Sequence, residues 1–466
     1  MTVLELRPGG GESFSGGGGH SSGGGSGGGA IFELVYWLIR LLFYYPQIAV
    51  PLLLLVIGYF AWSSYQQHRN RDWDSGPAAA LEPAIELAGL RARDTDFSQV
   101  VFEDFAFRLF ATAHRARPDK LAQVAPYVSQ AARDELAARE PAGVAIAQVV
   151  VGALRVVRLD LDDPDGRVRV AVEYEANLAT ATHTYYSVET WLFARDAARR
   201  SKPPGASRDF PCPSCGAPWQ ASASGTQTCA SCGQVVDNGR FDWVVEHTSL
   251  ASQDERAPTL TTEVPERGTD LPTYRQPDLR ARLAALAADD PAFSEPTLLA
   301  RLQMIYAELN RAWPENKLVP VRGLVSDGLY DYLSYWTDAY ARQGLRNMLV
   351  DMRITKTAIA KVERDRWYDA ITIRLWGTGK DYVIRTETGR VVRGGKHLER
   401  AYSEYWTLVR SAARKGPARA DAACANCGAP LHVGMAGACE HCGVHVTGGE
   451  FDWVVSKIEQ DDTYRG

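Results

Sequence analysis

The sequence predicts an α+β protein of two tandem copies of one domain, each carrying a four-cysteine zinc ribbon, behind a single N-terminal transmembrane helix. Three observations predict it. Two cysteine clusters sit in matching surroundings, CPSCGAP and CASCGQVVDNGRFDWVV from Cys212 and Cys229, CANCGAP and CEHCGVHVTGGEFDWVV from Cys424 and Cys439. Each cluster follows helix-periodic and then strand-like segments in the same order. Residues 41–62 carry no charge. At 466 residues, 45% hydrophobic and 23% charged, the chain can form two or three cored domains. A net charge of −5 gives no whole-molecule field toward nucleic acid.

Residues 1–29 form a Gly/Ser-rich arm without the apolar content to fold, and its lone His20 reads as solvated. Residues 30–66 hold an interfacial segment and the span. Glu33 and Arg40, seven residues apart, share a helical face among Ile31, Phe32, Leu34 and Trp37. The uncharged run 41–62 reaches about 33 Å as a helix, enough to cross a hydrocarbon core, and Pro46 and Pro51 are tolerable kinks there. His68, Arg69 and Arg71 follow the span against Arg40 before it, which orients the C-terminal domains toward the cytoplasm at the inner cell membrane. Free thiolates for zinc agree with a reducing compartment. Residues 67–95 read as a linker.

The first domain spans 96–250. Its helix 97–116 has an apolar face with Phe102, Phe105, Phe107, Leu109 and Phe110, a second helix runs over 118–139, and strands follow at 149–161, 167–178, 184–193 and 240–246. Residues 251–289 are rich in Pro, Thr and acidic residues and read as a linker ending in a short Leu/Ala helix. The second domain, 290–460, repeats the order: helices 294–312 and 321–343, strands 346–363, 367–376, 381–386, 397–411 and 450–458. Trp191, Arg195 and 197–199 match Trp406, Arg410 and 412–414, and Phe97-Ser98 matches Phe293-Ser294. Helices ahead of a long antiparallel sheet cover its concave face. The ribbons, 210–237 and 422–447, fall between the last two strands of each copy. In the FDWVV motif, alternation sends Phe241, Trp243 and Val245, like Phe451, Trp453 and Val455, to one face as core.

All eight cysteines form Cys-x-x-Cys pairs, so Cys212, Cys215, Cys229 and Cys232 are read as ligands of one zinc ion, and Cys424, Cys427, Cys439 and Cys442 of a second. Four thiolates leave no open coordination position, which makes both ions structural. His432, His441 and His445 are surplus to a complete site. Neither ribbon has a Lys or Arg between its outer cysteines, which disfavours nucleic acid as a partner. Basic residues lie beside the ribbons: Arg195, Arg199, Arg200, Lys202 and Arg208, then Arg410, Arg414, Lys415 and Arg419. From Arg346 to Ala420 there are 17 Lys/Arg against 8 Asp/Glu, so a basic sheet face is an expected contact for anionic lipid.

The run KDYVIRTETGRVVRGGKHLERAYSEYWTLVRS from Lys380 to Ser411 closely resembles the C-terminal domain family of the mitochondrial inner-membrane translocase subunit 44. Asp381-Tyr382, the turn from Thr388-Gly389 to Gly394, and Glu404-Tyr405-Trp406-Thr407 to Arg410 carry the resemblance. It covers about 290–460 well and 97–250 more loosely, where the Thr-Gly-x-Val-Val turn is missing. The tandem duplication and the ribbons depart from the usual pattern. The resemblance implies cone-like domains of the nuclear transport factor 2 and cystatin kind, attachment to a membrane, and recruitment of a protein partner or lipid.

No nucleophile-base order, phosphate loop or paired carboxylate motif appears in the domains, and His183 and Asp369 lack an acid-base partner in sequence. The reading is therefore a non-enzymatic, membrane-anchored scaffold. Two alternatives stand beside it: an isomerase- or hydratase-like enzyme using a cone pocket, and a ribosome or nucleic-acid tether acting through the ribbons.

Overall fold

The computed structural model describes residues 85–256 and 271–461, apart from 207–208, 224, 398, 417–422, 425 and 435–436, together with 464–466 and positions 44, 47, 50, 51 and 54–61. The expected arm and most of the expected span lie outside the described residues. Positions described within the span are helical, and Tyr44, Leu54, Leu55, Ile57, Tyr59 and Phe60 are each more than half exposed. Among the described residues no helix is long and apolar enough to cross a membrane.

The architecture is mixed α+β with antiparallel sheets. The first half runs α1 (Ala88–Arg93), α2 (Gln99–Arg115), a 3-10 turn (Leu121–Val124), α3 (Gln130–Ala138), β1 (Gln148–Asp160), β2 (Arg167–Ala179), β3 (Thr184–Asp196), the small hairpin β4 (Ala221–Ser222) and β5 (Gly225–Cys229), and β6 (Val244–Arg256). The second half runs α4 (Leu279–Asp289), α5 (Glu295–Ala312), a 3-10 turn (Val319–Leu324), α6 (Asp327–Arg342), β7 (Leu345–Arg364), β8 (Tyr368–Arg385), β9 (Val391–Gly394), β10 (Arg400–Ser411) and β11 (Val454–Gln460). The sheets order β1-β2-β3-β6 and β11-β10-β8-β7, with β9 against β8.

The same devices start the corresponding helices. Ser98 caps α2 by accepting from Val101 N, and Ser294 caps α5 by accepting from Thr297 N; Ser129 and Ser326 do so for α3 and α6. These caps explain a difference from the sequence reading. The helices expected over 118–139 and 321–343 are each split into a 3-10 turn and an α-helix, because the serine takes extended backbone ahead of its own helix. Each half then buries its own core: Phe102, Phe105, Phe110, Tyr174, Trp191 and Phe193 in the first, Leu302, Ile305, Leu333, Ile373, Trp406 and Leu408 in the second.

Three further boundaries differ. Helix α1 lies inside the expected linker 67–95, where Leu87 and Leu90 join the first core. Strand β6 continues to Arg256, past the expected boundary at 250, because it stays paired with β3 as far as Thr184. The strands expected at 367–376 and 381–386 are one strand, β8. Gly377 and Gly379 between them serve close approach: a Cβ at Gly377 would meet the Tyr402 ring and one at Gly379 would meet Met352. The FDWVV strands also begin late, at Val244 and Val454, since Asp242 and Asp452 bond the amides of Trp243 and Trp453 in a bend. Trp243, Val245, Trp453 and Val455 are core, whereas Phe451 packs with the second cysteine group.

The outer face of the second sheet is covered. Tyr464 stacks on Tyr405 at 3.9 Å, Tyr274 packs edge-on to Tyr464, and Arg374 donates to Leu271 O at 2.7 Å. Beside this patch, Val100 of α2 packs on Ala370, Val409 and Val454, and Lys457 pairs with Glu103 at 2.5 Å. Val150 and Tyr186 of the first half enter the second core. The halves therefore meet through both apolar and ionic contacts.

Candidate metal centres and buried ionic networks

Within each cysteine group the ligand atoms all lie within 4.8 Å of one another. Cys212 Sγ is 3.8 Å from Cys232 Sγ, Cys424 Sγ 3.7 Å from Cys442 Sγ, and Cys427 Sγ 4.0 Å from Cys439 Sγ. Those separations are far beyond a disulfide. They equal the edge, about 3.8 Å, of a tetrahedron with metal–sulfur bonds of about 2.3 Å. Local sequence makes each knuckle. The amides of Gly216, Gly233, Gly428 and Gly443 donate to the carbonyls of Cys212, Cys229, Cys424 and Cys439, and all four glycines have positive φ. Both groups are thus placed to hold a metal ion, with Cys212, Cys229, Cys424 and Cys439 buried.

Each group is fixed to its own half. In the first, Tyr127 Oη donates to Pro211 O at 2.8 Å, Trp219 Nε1 to Ala122 O at 2.9 Å, and Arg133 faces Asp237 at 3.6 Å. In the second, Asp327 at the start of α6 accepts from Thr447 Oγ1 at 2.7 Å and from Arg322 at 2.5 Å, and lies 3.1 Å from His445 Nε2. Burial opposes the Asp327 carboxylate, but His445 and Arg322 outweigh it and hold its pKa far below the ordinary value. His445 is therefore engaged with a carboxylate and a hydroxyl.

The basic residues marked beside the ribbons turn out to be core ion pairs in two cases. Arg195 reaches Asp94 Oδ2 at 2.8 Å and lies 4.6 Å over Trp243; Arg410 reaches Asp290 Oδ2 at 2.9 Å and lies 4.6 Å over Trp453. Asp94 and Asp290 terminate α1 and α4, helices the sequence reading left in linkers. Much of the charge on 346–420 is likewise paired: Arg364 with Asp289 and Asp369, Arg374 with Asp461, Lys380 with Asp351, Arg353 with Glu399. Asp369 is thus a buried ion-pair partner, and His183 lies exposed on a turn, 3.3 Å from Glu255. Arg346, Arg385, Arg390 and Lys396 remain exposed around the β8–β9 hairpin.

One network escaped the sequence reading. In the first core, Glu189 Oε2 accepts from Trp191 Nε1 at 3.0 Å and from Arg139, and lies 3.2 Å from His114 Nε2. Arg117 Nη1 is 3.2 Å from His114 Nδ1. A guanidinium only donates, so Nδ1 accepts and the proton sits on Nε2, facing the carboxylate. Burial pushes the Glu189 carboxyl up, but His114 and Arg139 overcome it and bring it down to about 2; burial holds His114 below its ordinary value. Glu404 bonds Trp406 Nε1 in the same way at 2.8 Å, so the shared Glu-x-Trp was the signal that could have exposed the dyad.

No curated protein matches the chain. Residues 279–418, from the start of α4 to just short of the second cysteine group, match the family model of the Tim44-like domain.

Proposed function

We propose that the chain is a membrane-anchored scaffold in which two cone-like domains of common ancestry, each locked by one structural zinc ion, hold a protein partner at the cytoplasmic face of the inner membrane. The observation that carries it is the family match over the second half, joined to an interior there filled by Trp406, Tyr402, Tyr306 and Trp453. A filled cone offers surfaces to partners. Exposed apolar side chains along the helix at 54–61 support a membrane anchor, and four thiolates with tetrahedral spacing support zinc. Charge near anionic lipid falls to the β8–β9 hairpin, since the sheet face is paired and covered. Shared caps, arginine–aspartate pairs and Glu-x-Trp motifs support duplication.

Affinity purification of the tagged full chain from detergent-solubilised membranes tests the scaffold. A stoichiometric protein partner lost on Arg390→Glu/Lys396→Glu, or on deletion of either ribbon, is the expected result. No specific partner from intact membranes, together with turnover of a small molecule, would replace the scaffold with an enzyme.

A further inference from the structure

The last stretch of β6 is an outer edge of the first sheet. In an antiparallel ladder, residues alternate between bonding one neighbouring strand and turning both backbone groups the other way. Thr180 N donates to His183 O at 2.8 Å, so the β3 residues in step with His183, namely Tyr185, Ser187, Glu189 and Trp191, bond β2. Opposite them on β6 stand Glu255, Gln253, Leu250 and Thr248, with Ala251 as the extra residue of a bulge. These four β6 residues therefore turn their N–H and C=O groups away from the sheet.

What meets that edge changes along it. Val245 N donates to Tyr127 O at 2.8 Å and Ser129 N to Val245 O at 2.9 Å; Thr248 N donates to Glu135 Oε2 at 2.6 Å, and Thr248 O accepts from Arg139 at 3.1 Å. Beyond Thr248 the cover stops. The outward backbone groups of Leu250, Gln253 and Glu255 have no partner among the described residues, and Leu250, Ala251, Ser252, Asp254 and Glu255 are exposed. In the second half, Ser326 N bonds Val455 O in the same way, but β11 ends at Gln460, the counterpart of Leu250 counted from Trp243 and Trp453. There Tyr464 N donates to Gln460 O at 2.9 Å and the chain folds onto Tyr405, so the long bare edge belongs to the first half.

An unpaired edge is a template for one more strand. Its surroundings select which strand. Beside it lies an open groove of about 520 Å³ whose lining includes Glu140, Tyr185, Leu250, Gln253 and Glu255, and no Lys or Arg. Tyr185 and Leu250 offer apolar surface there, and Glu140 and Glu255 carboxylates. A second copy of the same edge would set those carboxylates against one another. The chain's own linker 257–270 carries Glu263, Glu266 and Asp270 against Arg267, so it is acidic too. Charge complementarity calls for a basic strand from another protein.

We propose that the edge from Leu250 to Glu255 docks an extended basic segment of a protein partner, added beside β6 as a further strand with alternate side chains in the groove. A Lys or Arg of that segment meets Glu140 and Glu255, and its apolar neighbours meet Tyr185 and Leu250. The proposal rests on the scaffold reading for a partner that is a protein. Its test uses a peptide and no membrane, so its failure leaves the purification result standing. The probe is the acetylated, amidated heptapeptide Thr-Val-Thr-Lys-Thr-Val-Thr, titrated into the detergent-solubilised full chain and followed by amide hydrogen exchange. In the free chain the amides of Leu250, Gln253 and Glu255 should exchange fast and those of Ser252 and Asp254 slowly; saturating peptide should slow the first set at least tenfold. Glu in place of the peptide Lys should weaken binding at least tenfold, as should N-methylation of one alternate set of peptide amides but not of the other. Gln253→Pro, which removes an outward N–H and no bond to β3, should do the same. The N-methylated peptides decide the matter on the unaltered chain if that variant fails to fold. Slow exchange of the three amides in the free chain, which would mean that the linker or a second copy already covers the edge, overturns the proposal. So does the absence of saturable protection, or binding that neither N-methylation pattern weakens.

Discussion

Arg410 donates to Asp290 Oδ2 at 2.9 Å with both side chains buried, the relation Arg195 has with Asp94 at 2.8 Å in the other half. Each pair ties the strand that leads into a cysteine group to the end of a short leading helix. A buried pair broken on one side leaves an uncompensated charge, costing about 3–5 kcal/mol. Asp290→Ala should lower stability by that order in urea unfolding, while Asp290→Leu/Arg410→Met should recover much of the loss. Equal damage from the single and double variants would show that the pair is not the source.

The Glu189–His114 network predicts acid lability in two stages. Both groups are depressed in the folded state, so the unfolded chain binds more protons and stability falls as pH falls. The histidine contribution is complete above about pH 6.5 and is lost below it; the glutamate contribution is complete above about pH 4.5 and is lost toward pH 2. Each stage has a limiting slope of about 1.4 kcal/mol per pH unit. His114→Gln should remove the upper stage from a plot of urea midpoint against pH and shrink the lower one, which Arg139 and Trp191 then hold without His114. An unchanged upper stage would assign it to another group.

How much of this was legible in sequence depends on the range of the interaction. The cysteine groups were fully legible, because Cys-x-x-Cys-Gly spacing is local chemistry and the knuckle glycines stand beside their cysteines. The α+β order was legible from periodicity. The short Leu/Ala helix ending the second linker was legible and is α4, but its counterpart α1 was not, because it is short and held by Asp94 to an arginine more than a hundred residues away. The basic sheet misled for the same reason: the carboxylates that neutralise Arg364, Arg374 and Arg410 include Asp289, Asp461 and Asp290, outside the segment counted. His114 was hidden on an apolar helix face, and only its partner Glu189 carried a motif.

Metal removal should act locally. Zinc analysis of the purified chain should give two ions, falling to one in Cys424→Ser/Cys439→Ser. Asp327 would then lose His445 and Thr447 as the second ribbon opens, so amide exchange should rise at 422–453 and at the start of α6. Exchange that rises equally in the first half would mean that the ribbons stabilise the whole chain.

The halves should separate when their apolar contact is charged. Val100 packs on Ala370, Val409 and Val454 beside the Lys457–Glu103 pair. An Asp at 100 would place a carboxylate against three valine or alanine side chains and near Glu103. Val100→Asp should turn a single calorimetric transition into two while leaving the zinc content unchanged. One transition at a lower temperature would mean that the halves remain one cooperative unit.

The glycine before each FDWVV motif gives the most discriminating substitution. Gly239 and Gly449 have φ of 70° and 84°, a region costly for any residue with a Cβ. Their surroundings differ. A Cβ at Gly449 would lie 2.7 Å from Arg410 Cα and 2.9 Å from Val409 O, both backbone atoms of a central strand that cannot yield. At Gly239 the nearest groups are a Val244 methyl at 3.1 Å and Ala194 O at 3.2 Å, and a side chain can shift by a few tenths of an ångström. Strain from positive φ is shared, about 1 kcal/mol, so the contact term separates the two. Gly449→Ala should destabilise clearly more than Gly239→Ala in urea unfolding and disturb Arg410, releasing Asp290. Equal effects would show that backbone conformation alone, and not the close approach to β10, sets the need for glycine.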